Sequence, residues 1–275
     1  MPVLPASTAA ASTAKERVAL VIPAWNEAGS IGAVLAEVPP GVADCVFVVA
    51  GESTDGTAEI ARAHGALVLG QDRPGYGAAC WAGARAAAAA GARIVVFLDG
   101  DYSDPPAELH RILAPLLEGR ADLVFGRREA PGGRHPLPLH ARLGNSLVLA
   151  LLGLLVGRRL RDLPSFKAMW VEQLMTLGMS EMTYGWTTEL VVKSIRAGWR
   201  IEEVPVPYRS RLAGHSKVSG TVRGSLGAAW KLLSCALRYA HWSPGPPPGP
   251  ARGAARRRAG AGTSAAGTSM HEVSL

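Results

Sequence analysis

The sequence predicts an α/β fold built on a mostly parallel central sheet. Short apolar strands alternate with helical segments along the first half of the chain. These strands are apolar without interruption, which is typical of strands that helices cover on both faces. With 275 residues, 48% of them hydrophobic, the chain can bury one sizeable core.

Each predicted strand is followed by a loop, and most loops lead into a helix. Strands are expected at Val18–Ile22, Val46–Val49, 66–70, Ile94–Leu98 and within 121–128. Helices are expected at Ser30–Val38, Thr57–His64 and Gly77–Gly91, with a further one after Asp104, a plausible N-cap before two prolines. The carboxyl ends of the parallel strands should therefore share one edge of the sheet, where open α/β sheets bind ligands.

The predicted domain boundaries follow changes in composition. Residues 1–16 lack the features of a signal peptide and are expected to form a flexible arm. Residues 243–275 are rich in Pro, Gly, Ala and Arg and are expected to be disordered. The domain between them, 17–242, divides into halves of about 17–126 and 127–242. Its three distant cysteines fit neither a zinc spacing nor a disulfide framework, which indicates a reducing, cytoplasmic compartment.

Charge is divided unevenly between the two halves. The whole chain carries a net charge of +7, yet residues 1–126 contain 8 basic and 14 acidic residues. Residues 127–161 contain 7 arginines and one acid, and residues 193–242 contain 9 basic and 2 acidic residues. The basic half suits an anionic partner. No stretch interleaves aromatic with basic side chains, which argues against nucleic acid as that partner.

The apolar strand Ile94–Leu98 ends in Asp99-Gly100-Asp101. Two carboxylates this close repel each other unless a cation lies between them. Magnesium or manganese prefers such oxygen ligands and binds one or two carboxylates together with substrate phosphates. Gly100 would let the backbone approach a ligand. The alternative is an ordinary turn, in which Asp and Gly are common, but the position after a buried central strand favours the metal site.

Two other glycine-containing segments allow more than one interpretation. Asp55, in "ESTDGT", either lies in a loop at the edge of a nucleotide site or caps a helix. "GYGAACWAG", which contains Gly77, nearly matches a dinucleotide-binding fingerprint, but Cys80 stands where its last glycine belongs. An oxidoreductase that binds NAD is therefore disfavoured.

Two apolar helices are predicted in the second half. Leu147–Val156 is a run of ten apolar residues, and a second apolar helix near the end of the domain is interrupted by Lys231 and Arg238. Neither can cross a bilayer, since a span needs about 20 apolar residues. They are expected to be amphipathic helices that lie in the membrane interface, or alternatively to pack on the sheet.

Seven segments, in this order, resemble those of family 2 glycosyltransferases: "VIPAWNEAGSIGAVL", "STDGT", "GYGAA", "FLDGDYSDPPAEL", "ADLVFGRR", "DLPSFKAM" and "EVPVPYRSRLAGHSKVSGT". They look most like the polyprenyl-phosphate branch of the family, the dolichyl-phosphate mannose synthase type. The resemblance covers about residues 17–240. It implies a GT-A-type, Rossmann-like domain that binds a nucleotide sugar, a Mg²⁺ or Mn²⁺ ion and a polyprenyl phosphate.

The resemblance also implies roles for individual residues. The implied donor-binding residues are Pro23, Asn26, Glu27, Asp55, Gly77, Asp99, Gly100 and Asp101. The implied metal ligands are Asp99, Asp101 and Ser103. The implied catalytic residues are Asp101, Arg128, Arg142, Arg211 and Lys217, with Arg127 as an alternative to Arg128. Binding of the acceptor phosphate is implied for Arg142, Ser146 and Arg211.

One departure from the family concerns Ala50 and Gly51, which stand where the family usually has two aspartates that hold the base and ribose. The sequence therefore does not determine which base the donor carries. Glu52 is a candidate to replace the missing aspartates as a ligand of the base or ribose. Glu189 is the one good candidate for a general base, or else lies on the solvated face or in the cap region of a helix. A phosphate acceptor needs cations rather than a base, and the basic half provides them.

These observations lead to one expected function and three alternatives. We expect an inverting, metal-dependent transfer of a hexose from GDP-mannose or UDP-glucose to a polyprenyl phosphate, at the cytoplasmic face of a membrane to which the protein binds peripherally. The alternatives are transfer to a soluble hydroxyl or phosphate acceptor, nucleotide-sugar binding without transfer, and the disfavoured oxidoreductase.

Overall fold

A computed structural model describes residues 15–51, 53–129, 139–213 and 222–245, of which 139–145 and 222–229 are described by their backbone alone. The described residues up to Pro244 belong to one compact unit. A second unit begins at Gly245. Its remaining residues, 246–275, lie outside the described residues, and so do residues 1–14. The flexible arm and the disordered tail therefore stay predictions.

Seven strands of the described residues form a single sheet. They are β1 (Val18–Pro23), β2 (Cys45–Val49), β3 (Leu67–Leu69), β4 (Ile94–Phe97), β5 (Leu123–Glu129), β6 (Lys167–Trp170) and β7 (Ile201–Pro207). Their spatial order is β3-β2-β1-β4-β6-β5-β7. Only β6 runs antiparallel to its neighbours, β4 and β5. The carboxyl ends of the other six strands, and the beginning of β6, thus meet at one edge, with β4 in the middle.

Eight helices of the described residues cover the two faces of this sheet. They are α1 (Ile31–Ala36), α2 (Thr57–Ala63), α3 (Tyr76–Ala89), α4 (Leu109–Leu117), α5 (Leu139–Val156), α6 (Val171–Thr176), α7 (Trp186–Arg196) and α8 (Val222–Tyr239). Buried residues of α1, α2 and α4 share one core cluster, and those of α3, α5, α7 and α8 share the other. Both faces of the sheet are buried, as the uninterrupted apolar strands predict.

The alanine-rich helix α3 lies unusually close to the sheet. A β-carbon added at Gly83 would lie 2.2 Å from Cγ1 of Val21 in β1. A glycine is therefore required there, because any side chain would collide with the strand. This close packing holds β1 and the loop that follows it in place beside β4.

The α/β class and the parallel strands β1 to β4 are as the sequence predicts. The antiparallel strand β6 is not predicted, because its four residues contain a lysine. The expectation that Asp104 caps a helix is wrong. Pro105 occupies the cap position of a short 3₁₀ turn, Pro106–Glu108, and one carboxylate oxygen of Asp104 accepts a 2.6 Å hydrogen bond from Ser165 Oγ.

Both apolar helices pack into the core with one side, as the second predicted arrangement expects, and their seating in a membrane interface stays a prediction. Val148, Leu149 and Leu152 on one side of α5 are buried in the core, whereas Leu151 and Leu154 on the other side are exposed. On α8, which packs against α5, Trp230 is 75% exposed. Among the described residues, no helix combines the length and the hydropathy that crossing a bilayer requires.

Candidate functional site

The Asp99-Gly100-Asp101 turn lies just beyond β4, at the middle of the sheet edge. Asp101 is almost completely buried, and its Oδ1 accepts a 2.9 Å hydrogen bond from the amide of Ser103. Asp99 Oδ1 is buried and has no hydrogen-bond partner among the described residues. Tyr102 adopts a left-handed backbone conformation, φ 69°, which is uncommon for a residue other than glycine. The turn thus folds sharply and holds both carboxylates at the edge.

Three acids at this turn are close enough to perturb one another. Burial, followed by the charges of Asp101 and Asp104, raises the pKa of Asp99 to about 7. Burial raises the pKa of Asp104 to about 6, against the hydrogen bond from Ser165. The buried ammonium of Lys167 acts in the opposite direction on Asp99. Burial thus disfavours the ionised forms of Asp99 and Asp104, and a bound cation would favour them.

Lys167 is the most unusual residue beneath the turn. It begins β6, opposite Phe97 in the sheet, and is fully buried. Its ammonium lies 5.2 Å from the ring centre of Trp186 and 5.8 Å from that of Tyr76, and it donates a 3.2 Å hydrogen bond to Thr187. Sequence reasoning missed this residue, because its charge kept the segment from being predicted as a buried strand.

The loops after β1 and β2 bind each other and reach the turn. The amide of Thr54 donates to Asn26 Oδ1 at 3.0 Å, and the amide of Asn26 donates to Ser53 Oγ at 3.0 Å. Ser30 Oγ then donates to the carbonyl of Gly100 at 2.8 Å. The predicted donor residues in these loops, among them Pro23 and Asn26, therefore lie at the same edge as the paired acids.

Asp55 uses its carboxylate within these loops. It accepts hydrogen bonds from the amides of Ala28 and Thr57 and from the hydroxyl of Thr57. Burial acts to raise its pKa, but these hydrogen bonds prevail and lower it. The amide of Glu27 also donates to Thr57 Oγ1, at 2.9 Å. Asp55 thus shapes the loop at the sheet edge and also binds the first amide of α2.

Residues 208–213, which we call the crossing segment, run from the end of β7 over the turn. The amide of Arg209 donates to the carbonyl of Ser103 at 3.0 Å, and the amide of Leu212 to that of Asp101 at 3.3 Å. Arg211 Nη2 lies 2.9 Å from Asp101 Oδ2. The structure therefore joins Arg211 to the Asp-x-Asp turn, 110 residues away in the sequence.

A separate ion pair anchors the crossing segment. The guanidinium of Arg209 binds both carboxylate oxygens of Glu37, at 2.6 and 2.8 Å, and lies 4.8 Å above the ring of Tyr102. Ala213 at its far end approaches Gly29 so closely that a β-carbon there would lie 2.8 Å from that of Ala213. Sequence reasoning missed Glu37, and no local pattern marks it.

Arg128 is held by a buried acid that sequence reasoning also missed. Its Nε and Nη2 donate to the two carboxylate oxygens of Asp162 at 2.8 and 2.6 Å, and its guanidinium lies 5.2 Å above the ring of Tyr208. The alternative residue, Arg127, forms an ion pair with Glu129. Arg128 is thus fixed beside the start of the crossing segment, at the same edge of the sheet.

The structure gives less information on the remaining predicted site residues. The side chain of Arg142, and Lys217 entirely, lie outside the described residues. Ser146 is exposed on α5. Ser103 is buried, and its backbone binds Asp101 and Arg209.

The two predicted donor-site glycines differ in how closely they are packed. A β-carbon at Gly77 would lie 2.5 Å from the carbonyl oxygen of Glu181. One at Gly100 would lie 3.2 Å from Cβ of Ala24. Close packing against the backbone explains the glycine at Gly77 without reference to a ligand. At Gly100 a β-carbon would need only a small shift of Ala24, so packing does not require a glycine there.

Glu189 does not lie on a solvated face, and its position in the first turn of α7 agrees with the alternative of a cap region. Its role as a general base stays a prediction, which its burial disfavours. Glu189 is fully buried in the first turns of α7, where it accepts hydrogen bonds from the amides of Ser180 and Glu181 and lies 2.7 Å from Lys193 Nζ. Lys193 is buried too and lies 4.8 Å from the ring centre of Tyr239. Glu189 thus joins the 180–181 loop to α7.

We expect Glu189→Gln to lower the free energy of unfolding by about 3 kcal/mol, because it leaves the buried ammonium of Lys193 without its counter-charge. Transfer per folded molecule should change less than about twofold. Urea unfolding and initial rates measure the two effects. The control is Glu59→Gln at an exposed position, which should change stability by less than about 0.5 kcal/mol. A large loss of transfer at unchanged stability would restore Glu189 as a base.

The paired acids fit a divalent cation that a diphosphate also binds. Asp99 supplies a buried carboxylate oxygen without a hydrogen-bond partner among the described residues, and Asp101 supplies a second carboxylate. Within the described residues, no three His, Cys, Asp or Glu side chains converge on one point as a metal cage. Mg²⁺ typically binds one or two carboxylates and completes its shell with substrate phosphates and water. Asp99 and Asp101 are therefore the residues that would hold it.

The raised pKa of Asp99 predicts that metal binding depends on pH. A carboxyl group with a pKa of about 7 is mostly protonated at pH 6 and mostly ionised at pH 8. The affinity for Mn²⁺ should therefore rise about tenfold from pH 6 to pH 8, because the ion displaces a proton. Without metal, the raised pKa stabilises the protonated folded state, and this contribution is lost as pH rises from about 4 to about 7. Titration of Mn²⁺ at both pH values tests the prediction, and equal affinities would contradict it.

A groove of about 600 Å³ lies along α5. Small and apolar residues of the helix line it, including Ser146, Ala150 and Gly153, and so do Arg158 and Arg159 beyond the end of the helix. Leu154, 82% exposed, also lines it. Apolar surface and cationic side chains thus lie side by side in the second half of the domain.

Comparison with known proteins shows the family. Residues 19–154 match the family described as Glycosyl transferase family 2. An uncharacterized glycosyltransferase of Mycobacterium tuberculosis is 39% identical over 224 residues, which cover 80% of this chain and 100% of that protein. A dolichyl-phosphate hexose transferase of Haloferax volcanii is 35% identical over 211 residues, which cover 75% of this chain and 89% of that protein.

Solved structures show the same fold. Glucosyl-3-phosphoglycerate synthase of Mycobacterium tuberculosis, in complex with Mn²⁺, UDP-glucose and phosphoglyceric acid, superposes with a TM-score of 0.65 at 28% sequence identity. The match covers 81% of this chain and 80% of that one. The predicted GT-A-type α/β fold and the resemblance to the polyprenyl-phosphate branch are thus confirmed, and the chain belongs to glycosyl transferase family 2.

Proposed function

We propose that this glycosyltransferase moves a hexose from GDP-mannose or UDP-glucose to a polyprenyl phosphate, with inversion and with Mg²⁺ or Mn²⁺. The observation that carries the proposal is the pair Asp99 and Asp101 at the middle of the sheet edge, with the guanidinium of Arg211 directly beside Asp101. Acids to hold a cation and a cation to hold a phosphate thus occur in one site. The similarity to a dolichyl-phosphate hexose transferase supports a lipid phosphate as the acceptor.

The residues of the chain suit a direct displacement. The bond between the anomeric carbon and the donor diphosphate breaks, and the nucleoside diphosphate leaves with the electron pair while an acceptor phosphate oxygen forms the new bond from the opposite face. A cation held by Asp99 and Asp101 would act as a Lewis acid on the leaving diphosphate. Arg211 would bind phosphate oxygens through two parallel hydrogen bonds. Arg142, Lys217 and Ser146 are assigned to the same phosphates by the family resemblance alone.

A phosphate acceptor also agrees with the structure of α7. A hydroxyl acceptor needs a general base within hydrogen-bond reach of the proton that it loses. A phosphate is already an anion and needs none. The candidate base Glu189 forms a buried ion pair with Lys193. The arginines of the site can bind a phosphate acceptor, whereas Glu189 is not placed to accept a proton from a hydroxyl acceptor.

The donor base must be bound without the usual acidic pair. Ala50 is buried, and Gly51 has a left-handed backbone, φ 56°, beside the side-chain amide of Gln71. Glu52 lies outside the described residues. Gln71 is thus the nearest described polar side chain at this place, and we assign it as a candidate contact to the base or ribose.

We further propose peripheral binding at the cytoplasmic face of a membrane. The exposed Leu154 of α5 lines the same groove as Arg158 and Arg159, and α8 also exposes apolar side chains, Trp230 and Leu237. Such a helix surface suits a position among anionic headgroups. Each basic residue near such a surface contributes about 1 kcal/mol, and added salt screens that contribution. A lipid phosphate could then reach the site while its chain stays in the bilayer.

The membrane proposal predicts that Leu154→Glu lowers binding to vesicles that contain anionic phospholipid by about tenfold or more, because an apolar contact is lost and a repelling charge is gained. Leu117→Glu, at a 55% exposed leucine at the end of α4, is the matched control and should leave binding unchanged. Co-sedimentation at low and high salt measures both effects. Equal binding of the two variants, or no binding by the unmodified protein, would contradict the proposal.

A second candidate is transfer to a soluble phosphorylated acceptor. The structural similarity to a synthase that was solved with UDP-glucose and phosphoglyceric acid favours it. Both candidates place an anionic acceptor beside the same arginines. Nucleotide-sugar binding without transfer is the third outcome, since the acidic pair is replaced by Ala50 and Gly51.

Radiolabelled nucleotide sugars separate these candidates. GDP-mannose, UDP-glucose and their base-exchanged counterparts are each incubated with polyprenyl phosphate, or with 3-phosphoglycerate, and Mg²⁺ or Mn²⁺. Label that partitions into organic solvent only with polyprenyl phosphate is the expected result. A water-soluble product with phosphoglycerate alone would establish the second candidate, and binding without any product the third.

A further inference from the structure

Both carboxylate oxygens of Asp101 already have partners. Oδ1 accepts the amide of Ser103 at 2.9 Å, and Oδ2 lies 2.9 Å from Arg211 Nη2. The carboxylate is 4% exposed, whereas the Arg211 side chain is 32% exposed. Oδ1 is bound by the amide of Ser103, which is part of the turn itself. A metal ion would therefore bind Asp101 at Oδ2, and it can do so only if the guanidinium of Arg211 moves away.

Charge favours the same exchange. A guanidinium and a divalent cation on one carboxylate oxygen would repel each other at short range. Arg211 neutralises Asp101 in the absence of metal, which is the role that the ion would take over. Its partial exposure leaves the side chain free to swing outward.

The crossing segment can release Arg211 without leaving the turn. Arg209 stays bound to Glu37 through two hydrogen bonds and to the ring of Tyr102, and its amide donates to the carbonyl of Ser103. None of these contacts involves Asp101 Oδ2. Only the side chain of Arg211 has to move.

We propose that Arg211 holds the place of the metal ion on Asp101 in the unloaded enzyme, and that arrival of the ion with the donor diphosphate releases its guanidinium to bind the acceptor phosphate. The proposal rests on the metal-dependent transfer proposed above. It makes Arg211 a competitor of the cation first and a ligand of phosphate afterwards. The guanidinium of Arg211 is therefore not available to the acceptor phosphate until the metal ion and the donor diphosphate have bound.

The test is titration of Mn²⁺ alone, without donor or acceptor, followed by the electron paramagnetic resonance signal of the free ion. We expect Arg211→Ala to bind Mn²⁺ about tenfold more tightly than the unmodified protein, because the competing charge is gone. Asp101→Asn should weaken binding, and Arg211→Ala should give no gain in the Asp101→Asn background, as a double-mutant cycle requires of a coupled pair. Circular dichroism confirms that each variant is folded.

Arg200→Ala is the control, since Arg200 forms a comparable ion pair with Asp122, and it should leave the Mn²⁺ affinity unchanged. Unchanged or weaker binding in Arg211→Ala would overturn the exchange, as would a gain that persists in the Asp101→Asn background or the absence of Mn²⁺ binding in every variant. If Asp101→Asn weakens Mn²⁺ binding but Arg211→Ala gives no gain, the exchange fails while the metal site stands. If Asp101→Asn has no effect on a measurable affinity, the metal assignment of the proposed function fails as well.

Discussion

Asp101→Ala should reduce metal-dependent transfer by about a thousandfold or more while leaving the fold intact. A cation that neutralises the leaving diphosphate contributes several kcal/mol to transition-state stabilisation, and each 1.36 kcal/mol is about tenfold in rate. The fold should survive, because Asp101 lies in a turn and its main partners are one amide and one partly exposed arginine. Initial rates with saturating donor and Mn²⁺, together with the thermal unfolding midpoint, measure the two effects.

Asp72→Asn is the matched control for this prediction. Asp72 is also an acid paired with an arginine, Arg85 at 2.7 Å, but it is 79% exposed. Its replacement should leave transfer within about twofold. Wild-type rates in Asp101→Ala would refute the assignment of Asp101 as a metal ligand.

Arg211→Ala should lower the transfer rate by about a hundredfold and donor binding by less than about threefold. Loss of a charge-assisted, two-pronged phosphate contact removes about 2 to 3 kcal/mol, and the contact is assigned to the acceptor. The dissociation constant for the nucleoside diphosphate, measured by calorimetry, gives the donor side, and kcat gives the transfer.

The same variant should bind Mn²⁺ more tightly, so its metal affinity and its rate should move in opposite directions. Arg200→Ala again serves as the control and should change neither quantity. Equal losses of donor binding and transfer in Arg211→Ala would instead place its guanidinium on the donor diphosphate.

The paired acids could be found from the sequence because both signals are local. An uninterrupted apolar strand predicts a buried central position, and the acids follow it directly. The order of β1, β2 and β4 places their loops at one edge without further information. The apolar pattern of the strands, and the rule that parallel strands end at the same edge of a sheet, are sufficient to predict this part of the site.

The antiparallel strand β6 could not be predicted in the same way. Its first residue, Lys167, is charged, yet it is buried among aromatic rings that come from α3, β4 and α7. Only the folded chain brings these rings together. A residue whose burial depends on three distant elements leaves no periodic signal in its own segment.

The partners of the arginines are long-range as well. Arg209 and Glu37 are 172 residues apart, and Arg128 and Asp162 are 34 apart. The family resemblance marks Arg128 and Arg211 as important but does not say what holds them in the absence of substrate. Glu189 differs from these arginines, because its partner Lys193 is only four residues away on α7. The spacing of the two residues is visible in the sequence, but the burial of the pair is evident only in the structure.

The most direct test of the central claim is crystallographic. Crystals are soaked with Mn²⁺ and the nucleoside diphosphate of the preferred donor, and the ion is located by its anomalous scattering. We predict one strong peak within metal–ligand bonding distance of an Asp101 carboxylate oxygen and of the diphosphate, with Arg211 turned away from Asp101. A bound diphosphate with no ion at Asp99 or Asp101, and with the Arg211–Asp101 ion pair intact, would contradict the account.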